Sequence, residues 1–144
     1  MNDQALSLKL FLVLTRANQS VFKKIEQDIK NHALNPTEFG VLELLYHKGD
    51  QPIQKIGSKI LLASSSLTYV MDKLEKKQLI QRKSSPSDRR VTFIGLTPEG
   101  TSLLDEIFPK HASMLEELFS VLGHQEKEEL IRLLKKMGKY AEAT

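Results

Sequence analysis

The sequence predicts a mainly α-helical chain with one short β-hairpin, and three observations predict it. Apolar residues recur at helical spacing through most of the 144 residues. Helix-start signals stand at Asn35-Pro36, at the serines 64–66 and at Thr97-Pro98. The pattern switches to short strands at one place only, residues 79–96, around a polar loop.

The first helix covers residues 5–31, with Leu8, Phe11, Leu12, Thr15, Val21, Phe22, Ile25 and Ile29 as its apolar stripe and no Gly or Pro inside it. Asn35 caps the second helix, with Pro36 at its first position and Glu38 three residues after the cap. That helix buries Phe39, Val41, Leu42, Leu44 and Leu45 and ends near Gly49. After a short extended step at Gln51-Pro52, a third helix over about 53–61 turns Ile53, Ile56 and Ile60 inward. Leu62–Ser66 reads as a turn offering several N-caps.

The fourth helix carries the stripe Leu67, Val70, Met71, Leu74, while Ser65, Ser66, Thr68, Tyr69, Asp72, Lys73 and Lys76 form its polar face. Two strands, 79–84 and 91–96, flank the loop 84–90. A helix opening at Thr97-Pro98-Glu99 has Leu103, Leu104, Ile107 and Phe108 inward, and Pro109 is expected to kink or divide it. After Gly123 a last helix carries Leu130, Ile131, Leu133, Leu134, Met137 and Tyr140.

Composition removes several classes of function. There is no cysteine, which excludes a thiol redox sensor, a disulfide scaffold and Cys-ligated zinc, and makes a cytoplasmic protein the natural reading. The run Leu10–Leu14 is too short to span a bilayer and lacks signal-peptide flanks, so it is read as part of a buried helix. The net charge of +3 is unevenly spread: residues 53–93 hold nine Lys/Arg against three Asp/Glu, while 94–144 hold six against nine. A basic middle segment is the footprint of a polyanion contact, although a charge excess alone fits a solvated face better.

The order of elements favours the first, while the polar face of the fourth helix, taken alone, fits a solvent-exposed face equally. Helix, tight turn, amphipathic helix and basic hairpin make a winged helix-turn-helix with a two-stranded wing. Such a helix fits the major groove of B-form DNA, where hydroxyl and amide groups reach base edges. The hairpin beside it can lay Arg82, Lys83, Arg89 and Arg90 along the backbone or into the minor groove.

Three stretches carry a family resemblance. SSLTYVMDKLEKKQLI, from Ser65 to Ile80, resembles the recognition helix and exit strand of the MarR family of bacterial regulators. SDRRV, from Ser87 to Val91, resembles that family's wing signature, and LTPEG, from Leu96 to Gly100, its strand-to-helix junction. Asn35–Leu45 and Leu61–Gln78 are also similar to a subgroup that represses quinone and hydroquinone resistance.

The resemblance implies a DNA-binding repressor of a stress response, homodimeric through its terminal helices and facing an inverted-repeat operator. It implies three regions: 1–34 and 98–144 for dimerisation, 35–97 for DNA. Base reading would fall to Ser65, Ser66, Thr68 and Tyr69, with Ser64 beside them, and phosphate contact to Lys73 and Lys76. Arg89 and Arg90 would sit on the wing, Arg90 in the minor groove, with Asp88 holding an arginine instead of touching DNA.

It further implies release by a small aromatic, phenolic or quinone-type effector, in a cavity that Phe11, Arg16, His32, Phe39 or Tyr46 could line. The aromatics read more readily as core, with His32 on the surface. One departure stands out: Gln78 replaces the glycine usual at that point, so the helix end is expected to lack an easy left-handed residue.

An enzyme is not expected, because the sequence has no Gly-rich phosphate loop, and no His lies near the serines at 64–66. No cofactor or metal is expected either, since histidines 32, 47, 111 and 124 show no i, i+4 pairing. The rival reading is a winged helix that binds protein without DNA, which would show large apolar residues on the outer face of the fourth helix.

Overall fold

Asn35 begins the helix that organises the core. Its Oδ1 accepts from the Glu38 amide at 2.8 Å, and Glu38 Oε1 accepts from the Asn35 amide at 3.0 Å, so two orphan donors are satisfied reciprocally. The computed structural model describes residues 1–60, 64–85 and 87–144, and the side chains of all of these except 64 and 65. Its elements are α1 Asp3–Lys30, α2 Pro36–Lys48, β1 Gln51–Pro52, α3 Ile53–Lys59, α4 Ser64–Lys76, β2 Ile80–Ser84, β3 Thr92–Leu96, α5 Pro98–Leu118 and α6 His124–Ala143. The chain divides into two compact units, Met1–His111 and Ala112–Thr144. Among the described residues no helix is long and apolar enough to cross a membrane.

In the first unit Leu42, Ile56, Met71, Leu74, Ile80, Ile94 and Leu104 are fully buried in one cluster. The stripe predicted for α4 is the face it buries: Leu67, Val70, Met71 and Leu74. The hairpin is present, with Ile80 opposite Leu96 and Ser84 opposite Thr92. A third strand joins it, since Gln51 pairs with Ile94 and Pro52 with Phe93, giving the antiparallel order β1-β3-β2. The short extended step before α3 thus ties the wing to the helical core.

The structure corrects four expectations. The third helix stops at Lys59, with Ile60 as its cap; Leu61, Leu62 and Ala63 lie outside the described residues. Ser64–Ser66 belong to the first turn of α4 instead of a turn before it. Pro109 does not divide α5. Its missing amide costs a bond to the Asp105 carbonyl, but Leu104, Ile107 and His111 are buried on either side and hold the turn in place. Finally, the run around Phe11 is helical but not buried in this chain: Leu10, Phe11, Leu12 and Val13 are exposed on α1, where the chain's own core reaches only Ile25 and Ile29.

Gln78 shows how the missing glycine is managed. It takes the left-handed conformation itself, with φ +62°. The Leu79 amide reaches back to the Leu74 carbonyl at 3.1 Å and the Gln78 amide to that of Glu75 at 2.9 Å, the paired bonds of a Schellman cap. The next junction locks onto this turn. Thr97 Oγ1 donates to the Gln78 carbonyl at 2.7 Å and accepts from the Gly100 amide at 3.0 Å, while the Thr97 amide bonds the Leu79 carbonyl. Gly100 is needed here because a Cβ would stand 2.2 Å from the Leu79 carbonyl oxygen.

In the second unit, Glu126 Oε1 accepts from the Gly123 amide at 2.8 Å and closes the start of α6. Leu130, Ile131, Leu133, Leu134, Met137 and Tyr140 are all exposed on that helix.

Candidate nucleic-acid interface

With its apolar stripe turned inward, α4 presents Ser66, Thr68, Tyr69, Asp72 and Lys76 to solvent, with Lys73 half-exposed. Tyr69 is 67% exposed, and no Leu, Ile, Val or Met accompanies it on that face. The side chains of Ser64 and Ser65 lie outside those described.

The C-terminal turn of α4 is anchored through a carboxylate only 1% exposed. Glu38 Oε2 receives Lys77 Nζ at 2.8 Å, and Glu38 Oε1 lies 3.7 Å from Lys73 Nζ. Lys77 also donates to the Ala33 carbonyl at 3.2 Å. A buried carboxylate persists only when paired and hydrogen-bonded, and Glu38 has both the capping box and a lysine. It therefore ties the start of α2 to the end of α4.

At the wing tip Asp88 Oδ1 accepts from the Arg90 amide at 3.0 Å and from Arg90 Nε at 3.2 Å. These bonds hold the Asp88 carboxyl below the ordinary aspartate range, the backbone bond contributing most. The Asp88 amide in turn donates to Ser85 Oγ at 3.3 Å, and Ser85 and Ser87 hydroxyls are 3.1 Å apart. Pro86 is outside the described residues. The outcome is an arginine held at its Nε edge with a side chain 91% exposed. Arg89 beside it is exposed as well.

Arg82 and Lys83, expected to face phosphates, are both in ion pairs. Arg82 Nη2 is 2.7 Å from Asp72 Oδ1 and its Nε 3.4 Å from Glu75 Oε1, both on α4. Lys83 Nζ is 3.0 Å from Asp50 Oδ2.

The candidate effector residues do not gather at one place. Phe39 is in the core, Tyr46 is half-buried with its hydroxyl 2.5 Å from Asp105 Oδ1, and His32 is half-buried after α1. The bond to Asp105 raises the Tyr46 pKa above its ordinary value. Phe11 and Arg16 are exposed on α1. Phe11 precedes Asp28 by seventeen residues, or about 25 Å along a helix.

Sequence reasoning missed His111, which the fold brings to Phe39, and Asp28 beside it. His111, on α5, stacks on Phe39 with ring centroids 4.6 Å apart and faces Phe108 at 6.3 Å. Its Nδ1 is 3.5 Å from Asp28 Oδ2, and both atoms are buried without a hydrogen-bond partner among the described residues. The available signal was register: His111 continues the inward stripe Leu104, Ile107, Phe108, a position a histidine seldom takes without a purpose.

A groove-sized helix with a hydroxyl and cation face, beside a wing that displays a held arginine, defines a DNA-binding winged-helix regulator. Known proteins agree. The MarR family profile matches residues 34–92. The chain is 58% identical to the HTH-type transcriptional regulator MhqR of Bacillus subtilis over 132 residues, 92% of this chain and 91% of that one. Its fold is that of the Staphylococcus aureus MepR–DNA complex, with a TM-score of 0.78 at 22% identity, covering 90% of this chain and 96% of that one. It is also similar, at 25% identity and a TM-score of 0.79, to Bordetella bronchiseptica BpsR, whose DNA binding is regulated by 6-hydroxynicotinic acid; 90% of this chain and 98% of that one are covered. The chain belongs to the MarR family and is a DNA-binding transcriptional regulator.

Proposed function

We propose that the chain is a homodimeric repressor that grips an inverted repeat and is released by a small phenolic or quinone-type molecule. The observation that carries the DNA-contact assignment is Arg90, fixed by Asp88 and almost wholly exposed beside the polar face of α4. In this reading Ser64, Ser65, Ser66, Thr68 and Tyr69 meet base edges, Lys73 and Lys76 meet phosphates, and Arg90 enters the minor groove with Arg89 at the backbone. Residues 1–34 and 98–144 form the dimer, in which a partner covers the exposed apolar side chains of α1 and α6. Two copies then present two recognition helices about one turn of DNA apart.

The effector seat is supported by Asp28 and His111. A buried imidazole against the Phe39 ring and a buried carboxylate oxygen 3.5 Å from it, both without a hydrogen bond among the described residues, suit a flat ring that carries a hydroxyl. BpsR, regulated by a hydroxylated aromatic acid, offers a parallel. The test is a gel shift of the purified protein on the DNA upstream of its own gene, with and without a simple phenol or benzoquinone. The expected result is a tight, salt-sensitive shift that the compound abolishes in the wild type but not in His111→Ala. A shift indifferent to both compounds would contradict the effector class and leave DNA binding standing.

A further inference from the structure

Asp72 and Glu75 set a problem for a helix that approaches phosphates. They stand three residues apart on α4 and both are exposed, so each would repel the DNA backbone if left alone. One side chain engages both. Arg82, on the first wing strand, directs Nη2 to Asp72 and Nε to Glu75 at 2.7 Å and 3.4 Å. A guanidinium is a rigid planar fork, and one with these two nitrogens turned to carboxylates cannot offer the same edge to a phosphate. Its neighbour Lys83 points to the other face of the strand, as alternation requires, and is held by Asp50. The contact also spans the Gln78 turn, joining the end of the recognition helix to the root of the wing.

We infer that Arg82 is a positioning residue: it acts on DNA binding through Asp72 and Glu75, neutralising them and holding the wing strand to α4, and touches no phosphate itself. This rests on the DNA-binding face proposed above. It separates the basic wing into a displayed pair, Arg89 and Arg90, and an internal clamp. The basic excess of residues 53–93 therefore overstates the charge offered to DNA.

A double-mutant cycle tests it, using a duplex that the wild-type protein selects from a random-sequence library and fluorescence anisotropy over a series of salt concentrations. Selection of a duplex by the wild type tests the DNA-binding face on its own. Arg82→Gln is expected to weaken binding about tenfold in the wild-type background while leaving the salt slope unchanged. In the Asp72→Asn/Glu75→Gln background the same substitution is expected to cost less than about twofold, because its partners are already gone. The inference is overturned if Arg82→Gln costs the same in both backgrounds and lowers the salt slope by about one, the signature of a lost phosphate contact. It is equally overturned if Arg82→Gln binds as tightly as the wild type.

Discussion

Two residues carry local chemistry that can be checked one at a time. Gln78 occupies a left-handed conformation that costs an L-residue about 1 kcal/mol or more. Gln78→Gly removes that cost and gives back part of it as backbone entropy in the unfolded chain, so a gain of about 0.5–1 kcal/mol is expected. Urea denaturation at a fixed protein concentration measures it; a loss of stability would mean that the glutamine side chain, not the turn, holds the wing. Asp88 makes the second case. Its carboxyl pKa is lowered in the fold by bonds from Arg90, so its contribution is present above the ordinary aspartate range and is lost as the pH falls through the lowered value. A carbon-detected NMR titration should find its midpoint below the ordinary aspartate range, and Arg90→Ala should return it upward, although the backbone bond keeps part of the shift. An unmoved midpoint would contradict the Asp88–Arg90 contact.

At the scale of elements, the legible parts were those written in local pattern. The Asn35 capping box, the α4 stripe and the two wing strands follow from cap chemistry and periodicity, which act within a few residues. What could not be read were contacts between distant segments. The pairing of β1 with β3, the clamp from Arg82 to Asp72 and the approach of His111 to Asp28 are set by tertiary packing. Of the kink or division that a local rule allows at Pro109, the division is overridden by burial on both sides. The junction LTPEG gains a physical account from the structure, since Thr97 caps α5 while bonding the α4 exit, and Gly100 leaves room for the Leu79 carbonyl. Gly100→Ala would push a Cβ against backbone that has no slack, and should cost about 2 kcal/mol or more in chemical denaturation. A neutral result would mean that the wing junction is looser than this packing implies.

At the scale of the whole molecule, the sequence was legible in its charge distribution. The basic middle segment holds the wing, and most of the large exposed apolar side chains lie on α1 and α6, Tyr69 being the one on α4. The candidate effector residues were less legible, because a cavity's lining depends on which helices meet, and aromatic residues look alike in sequence whether they pack or bind. The proposed division of labour gives the terminal helices to pairing and α4 and the wing to DNA, with the observed ion pairs of Glu38 and Arg82 at the two ends of that apparatus.

The central claim is that α4 and the held arginine of the wing are the DNA face, and Arg90→Ala tests it most directly. Affinity for the selected duplex would be measured by fluorescence anisotropy over a range of salt concentrations. The account predicts a steep salt dependence for the wild type, with Arg90→Ala binding about tenfold more weakly and with a shallower slope. Affinity and slope unchanged by the substitution would contradict it.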